Sequence, residues 1–515
     1  MRRPCISLPV LLTLLFPALA HAQLPGLPKV FAIVGARVVV GNGQVLPGAT
    51  VVIRDGVITA VGANVQPPAD ARITQGAGLV VYPGFIDALD NPTLDLPAVA
   101  ADQGVPVDTS DTPPVMMREA DRKGVRADVL ATRFLTYTSQ ELAALHKDGF
   151  CTALVMPTGG MINGIGGVVT LSGAPTRDIV VNGAAAMGFG FATGGGPRFG
   201  GGGPGPAAGA PAVPPYPGTL LGIFATIRQT LLDSQWLNKW DAVYRKYGGQ
   251  RPPDDPVLGF LHLVFNGMPV VFEANTRNEI YRAIHLDDEF KLNTVIGGGL
   301  YAYRWAAMLA SRKIPVVVAL NFGAEPYAPP IARTAGLPRF GGRRFGGPPG
   351  TSRRPDGVGG PGMTAATDAN QDVPLAAQRD AQRQWRARRD NAAALARAGA
   401  TFAFTARGLP PQTDFLTQLR SAVQNGLPAD AALRALTIDA ARILHIQKQF
   451  GTVEVGKQAS LTVMTGDFTK SDSTVKYLFI DNKRIEPAKE TAGSGAPAGI
   501  GGRVRRPTSE DGDQR

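Results

Sequence analysis

The sequence has few of the residues that build cross-links and metal sites. It contains only two cysteines and five histidines in 515 residues. Cys5 lies in an apolar N-terminal stretch that we expect to be removed, so Cys151 has no partner for an internal disulfide. Because Cys151 lies in the apolar run FCTALVM, we expect a buried structural thiol and not a nucleophile. Stability must therefore come from an apolar core.

A long apolar segment is also missing. The N-terminal run ISLPVLLTLLFPALA is shorter than the roughly 20 residues that cross a bilayer, and no later run is longer. It follows the basic start MRR and precedes the small residues AHA, which is the pattern of a secretory signal. The sequence therefore predicts a signal peptide over residues 1–22, a secreted or periplasmic location and no transmembrane segment.

The balance of charge is basic. The formal net charge is +11, and the excess lies mainly in arginines of glycine-rich stretches such as RFGGRRFGG and TSRRPDG. An exported protein has little access to nucleic acid, so we expect solvated basic loops and no nucleic-acid partner. Contact with an anionic cell-envelope surface stays open.

Short β-rich segments flank a long middle that alternates strands and helices. FAIVGARVVVG and ATVVIRDGVITAVG lie near the start, and GTVEVGKQASLTVMTGD and VKYLFIDNKRIE lie near the end. In the middle, apolar strands such as MPVVFEAN and IPVVVALNF alternate with amphipathic helices, which indicates a parallel sheet covered on both sides. At this length the pattern favours an α/β fold of the (β/α)8 TIM-like barrel type.

Three stretches break this alternation. Residues 192–218 and 324–375 are rich in Gly, Pro and Ala or Arg, and residues 488–515 form a polar tail. Such segments bury too little apolar surface to offset the entropy lost on ordering. We predict two flexible insertions and a disordered tail.

Three motifs resemble the amidohydrolase superfamily, in particular its imidazolonepropionase-like members. VYPGFIDALDN is similar to the family's PGFIDAHTH, GFCTALVMPTGGMINGIGGVVTLSG to its third-strand region, and ALRALTIDAARILHIQKQFGTVEVGKQASLTVM to its C-terminal region. The resemblance implies a small composite β-sandwich over residues 23–82 with 450–487. It also implies a barrel over residues 83–449 and hydrolysis of non-peptide C–N bonds with zinc or a similar divalent metal.

The family's metal-ligand positions all carry other residues here. They fall on Leu89, Asn91, Ala186, Glu273, Asn275, Gly298 and Ala406. The histidines that follow the predicted signal peptide lie in helix-like segments and form no HxH or HxxxH pair; they are His146, His262, His285 and His445. Since zinc favours imidazole and thiolate donors, we predict no metal site and no other cofactor.

The resemblance nevertheless places polar residues at the carboxyl ends of the barrel strands, where barrel active sites lie. Glu273, Asn275 and Arg407 are the catalytic candidates, and Asp90 and Asn91 are the candidates for ligand binding. The alternative is that these side chains only fill the space left by lost metal ligands. Asp87 belongs to the PGFIDA turn, and we expect a structural role for it.

Three functional hypotheses follow. The first is an exported family member without the usual metal site, which binds a ligand or partner and is not catalytic. Its partner would be a second copy of the chain or an active relative. The second is a working C–N hydrolase with a rebuilt site, in which Glu273 is the general base and Asn275 or Arg407 stabilises an oxyanion. The third is an envelope-surface adhesin that uses the basic loops. Whether the chain is an enzyme stays open.

Overall fold

The computed structural model of the protein describes residues 29–95, 124–191, 219–323, 325–327, 373–410 and 413–487. The predicted signal peptide, the insertion at 192–218, most of the insertion at 324–375 and the tail at 488–515 lie outside these residues. Among the described helices, none combines the length and apolar character needed to cross a membrane.

The first of two sheets is built from both ends of the described chain. Its N-terminal strands are β1 (Val30–Val39), β2 (Val45–Arg54), β3 (Val57–Gly62), β4 (Arg72–Gln75) and β5 (Val80–Pro83). Its C-terminal strands are β14 (Leu461–Met464), β15 (Val475–Ile480) and β16 (Lys483–Ile485). Strand β14 pairs antiparallel with β5, so sequence-distant segments form one sheet. The domain boundaries given above stay predictions.

Local turn chemistry explains the hairpin between β2 and β3. Asp55 and Gly56 have φ angles of 50° and 80°, and a two-residue turn of this kind needs positive φ at both positions. Glycine adopts this conformation without steric cost, and aspartate tolerates it better than most residues. The RDG stretch therefore forms the hairpin that the sequence indicates.

The second sheet has eight strands in sequence order. They are β6 (Phe85–Asp90), β7 (Phe150–Val155), β8 (Ile162–Thr170), β9 (Val180–Gly190), β10 (Pro269–Ala274), β11 (Asn293–Gly298), β12 (Val316–Ala319) and β13 (Phe402–Thr405). This sheet is nearly closed, which agrees with the coarse prediction of an eight-stranded α/β barrel. The paired strands run parallel except that β8 is antiparallel to both β7 and β9.

The antiparallel strand has a simple geometric cause. Only residues 156–161 connect β7 to β8. A parallel crossover needs a dozen or more residues, so this short connection can only return the chain antiparallel. The barrel therefore departs from a regular βα repeat at its third strand.

Helices follow most of the barrel strands. They are α1 (Ser139–Lys147), α2 (Thr176–Ile179), α3 (Leu220–Tyr247), α4 (Pro256–Phe265), α5 (Arg277–Phe290), α6 (Ala306–Ser311), α7 (Leu375–Arg389), α8 (Asn391–Arg397), α9 (Phe415–Gln424), α10 (Ala429–Leu436) and α11 (Ile438–Ile443). Helices α1 and α5 each begin with a capping box, Thr138 with Glu141 and Thr276 with Glu279. Each box satisfies amide donors that a helix start otherwise leaves free.

Cys151 lies where the barrel meets the outer sheet. Its thiol is fully buried on β7, 3.6 Å from the Thr462 hydroxyl of β14. Burial raises the pKa of Cys151 to about 12, so the thiolate needed for nucleophilic attack is scarce at neutral pH. The prediction of a buried structural cysteine is confirmed.

Candidate functional site

Asp87 is the first charged residue of the barrel mouth along the chain, and it lies on β6. Its carboxylate is fully buried and accepts hydrogen bonds from the backbone N–H groups of Leu89 at 3.0 Å and Ala406 at 2.9 Å. The Thr405 hydroxyl donates to the Leu89 carbonyl at 2.8 Å. No ladder joins β13 to β6 within the described residues, so these bonds connect the last barrel strand to the first. This geometry supports the expected structural role of Asp87.

Asp90 ends the same strand and meets a residue that sequence reasoning missed. The Tyr137 hydroxyl donates to Asp90 Oδ2 at 2.6 Å, and the Asn91 backbone N–H donates to Asp90 Oδ1 at 2.8 Å. Burial raises the pKa of Asp90 to about 7, and the negative charge of Asp87 adds to this effect. The capping box that begins at Thr138 places Tyr137 just before a helix, but it does not relate Tyr137 to Asp90.

Glu273 and Arg407 meet across the mouth. Glu273 lies on β10 and Arg407 follows β13, and their side chains form an ion pair at 2.7 Å with 33% and 19% exposure. The positive charge of Arg407 also lowers the pKa of Asp87, against the larger effect of burial, which raises it. Arg407 therefore acts on two carboxylates, and Asp87 in turn acts on Asp90. The predicted residues Asp90, Glu273 and Arg407 are therefore linked by charge interactions that pass through Asp87.

The two asparagines are placed differently from one another. The Asn275 backbone N–H donates to Glu279 Oε2 at 2.8 Å, and its side-chain amide packs against Gly298. A side chain at position 298 would collide with that amide. Asn91 is exposed at the end of β6. Asn275 therefore lines the region next to Glu273, whereas Asn91 lies at its outer edge.

The residues at the family's ligand positions do not fit a divalent metal. Leu89 and Ala186 are buried apolar side chains, and Leu89 Cδ2 lies only 2.9 Å from where a Cβ on Gly297 would be. Gly298 has no side chain and no room for one. Within the described residues, no group of three or more His, Cys, Asp or Glu side chains could hold a metal ion.

The four remaining histidines lie away from these positions. His146, His262 and His285 are on helices α1, α4 and α5, and His445 follows α11. His146 is buried with Nε2 2.6 Å from the Leu171 carbonyl oxygen, and burial lowers its pKa. None of them offers an imidazole to the mouth from a barrel strand.

The two ways of breaking the ion pair between Glu273 and Arg407 should lower stability by different amounts. We expect Arg407→Met to lower the free energy of unfolding by about 2 kcal/mol and Glu273→Gln by about 1 kcal/mol. The arginine costs more because its loss leaves both Glu273 and Asp87 without their cation. Urea denaturation at pH 7 of both single variants and the double variant measures the coupling.

The exposed pair of Arg383 and Asp380 is the matched control, with N–O 3.2 Å and 75% and 52% exposure. Its Arg383→Met variant should change stability by less than about 0.5 kcal/mol. Equal effects at Arg383 and Arg407 would show that the pair at the mouth is not energetically coupled.

Comparison with known proteins finds a family match for part of the chain and a similar fold for most of it. Residues 363–495 match the model described as "Amidohydrolase family". An amidohydrolase from Thermotoga maritima MSB8 has 21% sequence identity and a TM-score of 0.62, covering 88% of this chain and 99% of that chain. The resemblance to the amidohydrolase superfamily is confirmed by the family match over residues 363–495, and the solved structure adds a similar fold.

Other solved structures are more distant. A Xaa-Pro dipeptidase with bound methionine has 15% identity and a TM-score of 0.47, covering 89% of this chain and 100% of that chain. An adenosine deaminase from Xanthomonas campestris with bound zinc has 14% identity and a TM-score of 0.44, covering 89% of this chain and 93% of that chain. No curated protein sequence matches the chain.

Proposed function

We propose, from the amidohydrolase-family match of residues 363–495 and the amidohydrolase-like fold, that the protein is an exported, non-catalytic homologue that binds a ligand or partner at its barrel mouth. Fold alone does not decide activity. The proposal therefore depends on the side chains of the mouth, and export depends on the N-terminal sequence pattern.

One observation carries the proposal: a guanidinium neutralises the carboxylate at a family ligand position. Glu273 lies at such a position on β10, and Arg407, one residue beyond another such position, binds it at 2.7 Å. Arg407 is permanently charged, so it supplies the positive charge that a metal ion supplies in the family. With Leu89 filling the space beside Gly297, the charge of Glu273 is balanced by Arg407 without a metal ion.

The same groups leave donors and acceptors for a small polar ligand. A guanidinium has five N–H donors in a planar fork, and a single carboxylate oxygen uses one of them. The Asn275 amide next to Gly298 and the carboxylate of Asp90 add further polar atoms. We propose Asp90, Asn91, Asn275, Glu273 and Arg407 as contacts for a small polar ligand, and a second copy or an active relative as candidate protein partners.

Metal analysis of the purified mature protein tests the proposal directly. We expect zinc, manganese, iron, cobalt and nickel each below about 0.1 atom per chain, because the donors that zinc requires are missing. Excess zinc followed by gel filtration should leave no bound metal, and chelators should leave the melting temperature unchanged.

A ligand screen supplies the second arm of that test. Dipeptides and cyclic amides that bind should raise the melting temperature without being hydrolysed, and Arg407→Met should abolish the increase. Stoichiometric zinc together with chelator-sensitive hydrolysis of a dipeptide or cyclic amide would overturn the proposal.

A second candidate, a C–N hydrolase with a rebuilt site, is favoured by one observation. The pKa of Asp90 is raised to about 7 beside the Tyr137 hydroxyl, and a carboxyl that titrates near neutral pH suits general acid–base catalysis. In this mechanism Asp90 joins the proposed base Glu273, and Asn275 or Arg407 would stabilise an oxyanion. For Glu273 to act as a base, it must first release Arg407.

Any assay that shows turnover distinguishes the two candidate functions. If activity exists, Glu273→Gln and Asp90→Asn should each reduce kcat, and Asp90→Asn should remove the pH dependence near pH 7. Unchanged turnover in both variants rules out the rebuilt site. The adhesin hypothesis involves residues 339–354, which lie outside the described residues.

A further inference from the structure

Helix α3 carries an apolar surface that the mouth does not use. The helix runs over Leu220–Tyr247, and one face packs into the core through buried Ile223, Ile227 and Leu231. Four large hydrophobic side chains lie outside that buried face. They are Leu221, Trp236, Val243 and Tyr247, with exposures of 68%, 49%, 54% and 72%, and we name them the α3 stripe.

Trp236, Val243 and Tyr247 lie close together along α3, whereas Leu221 lies fifteen residues, about 22 Å, before Trp236. At 100° per residue the members of the α3 stripe fall within roughly 80° of the helix circumference, on the side away from the buried face. No other element among the described residues carries two exposed large hydrophobic side chains. Single exposed apolar residues are ordinary, whereas a cluster such as Trp236, Val243 and Tyr247 indicates a binding surface.

Aromatic residues give this surface an interfacial character. The Trp236 ring lies 4.8 Å from the Trp240 ring, and Trp240 Nε1 donates to the Gln250 carbonyl at 3.1 Å. The Lys246 ammonium lies 4.9 Å from the centre of the Tyr247 ring. Tryptophan and tyrosine combine an apolar body with a polar atom, which suits the headgroup region of a bilayer.

The charges on the C-terminal half of α3 itself are mainly positive, and Asp254 and Asp255 line the same cleft as Asp241 and Arg245. From Trp236 to the end of α3 the cations are Lys239, Arg245 and Lys246, and the single acid in that sequence is Asp241. Asp241 is paired with Arg245 at 2.8 Å. The exposed lysines therefore remain to meet an external anion, and each lysine near an anionic membrane strengthens attachment several-fold.

We propose that the C-terminal half of α3 docks on the surface of an anionic lipid bilayer. Trp236, Val243 and Tyr247 would enter the headgroup region, while Lys239 and Lys246 contact lipid phosphates. A second copy fits this surface less well, because a symmetric helix pair would bring the same lysines together. This inference is independent of the proposed ligand site at the barrel mouth.

Vesicle sedimentation with the full mature chain tests the proposal. The protein should partition onto vesicles of one part phosphatidylglycerol to three parts phosphatidylcholine about tenfold more strongly than onto phosphatidylcholine alone, and 0.5 M NaCl should remove the difference. Lys239→Gln with Lys246→Gln should reduce partitioning about tenfold. Tryptophan emission should shift to shorter wavelength on binding.

Substitutions at two exposed positions test the proposal without disturbing the fold. Val243→Ser and Tyr247→Ser should each weaken partitioning at an unchanged melting temperature, whereas Val455→Ser, 63% exposed in a loop outside α3, should not. Equal binding to both vesicle types, or variants that bind like the parent, would overturn the proposal. A dimer that the same α3 variants dissociate would overturn it in favour of a second copy.

Discussion

Asp87→Ala should lower the free energy of unfolding by about 2–4 kcal/mol. The substitution removes the acceptors of two backbone N–H groups, those of Leu89 and Ala406, at the junction of β6 and β13. A buried donor left without a partner costs about 1–3 kcal/mol. Removing a buried carboxylate offsets part of this loss, because burial raises the pKa of Asp87 and so disfavours its ionised form. Urea denaturation followed by circular dichroism measures the net effect.

Asp87→Asn is the conservative comparison for that experiment. The amide keeps one carbonyl acceptor and nearly the same shape, so its loss of stability should lie between the parent and Asp87→Ala. Asp254→Ala replaces an exposed carboxylate and should change stability by less than about 0.5 kcal/mol. If Asp87→Ala were as stable as Asp254→Ala, the junction between β6 and β13 would not depend on this side chain.

Local patterns made much of the fold predictable. The runs ATVVIRDGVITAVG and VKYLFIDNKRIE contain their own turn residues, and their hairpins form as the patterns indicate. The alternating middle indicates the barrel sheet because most of its apolar strands are followed by a separate helix. The direction of β8 was not inferred, although the short connection before it constrains that direction. Glycine-rich MINGIGGVVTLSG carries a weak strand signal.

The site was less predictable because its contacts join distant parts of the chain. Resemblance placed Glu273 and Arg407 near the same mouth, and the structure pairs them across a separation of 134 residues. The contact of Tyr137 with Asp90 spans 47 residues, and no local pattern relates the two. The bond from Ala406 to Asp87 uses a backbone N–H, which every residue except proline possesses. Sequence can identify such groups only once strand neighbours are known.

The stability of the protein should fall between pH 4 and pH 7 because of Asp90. Its folded-state pKa is raised from 3.8 to about 7, whereas the unfolded chain titrates near the ordinary value. Below about pH 4 both states hold the proton and Asp90 has no differential effect. As pH rises through this window, Asp90 ionises first in the unfolded state. The free energy of unfolding therefore falls, by up to about 4 kcal/mol at pH 7. Above the folded pKa the loss is complete.

Asp90→Asn isolates this contribution, because the amide cannot titrate but can still accept from Tyr137. The variant should match the parent near pH 4 and be more stable by about 1–4 kcal/mol at pH 8. Tyr137→Phe removes a hydrogen bond that favours the carboxylate, so the fall in stability should begin at the same pH and extend to higher pH. Urea denaturation at half-unit pH intervals measures all three proteins. A difference between Asp90→Asn and the parent that stays constant from pH 4 to pH 8 would contradict the raised pKa, and with it the acid–base argument for the alternative function.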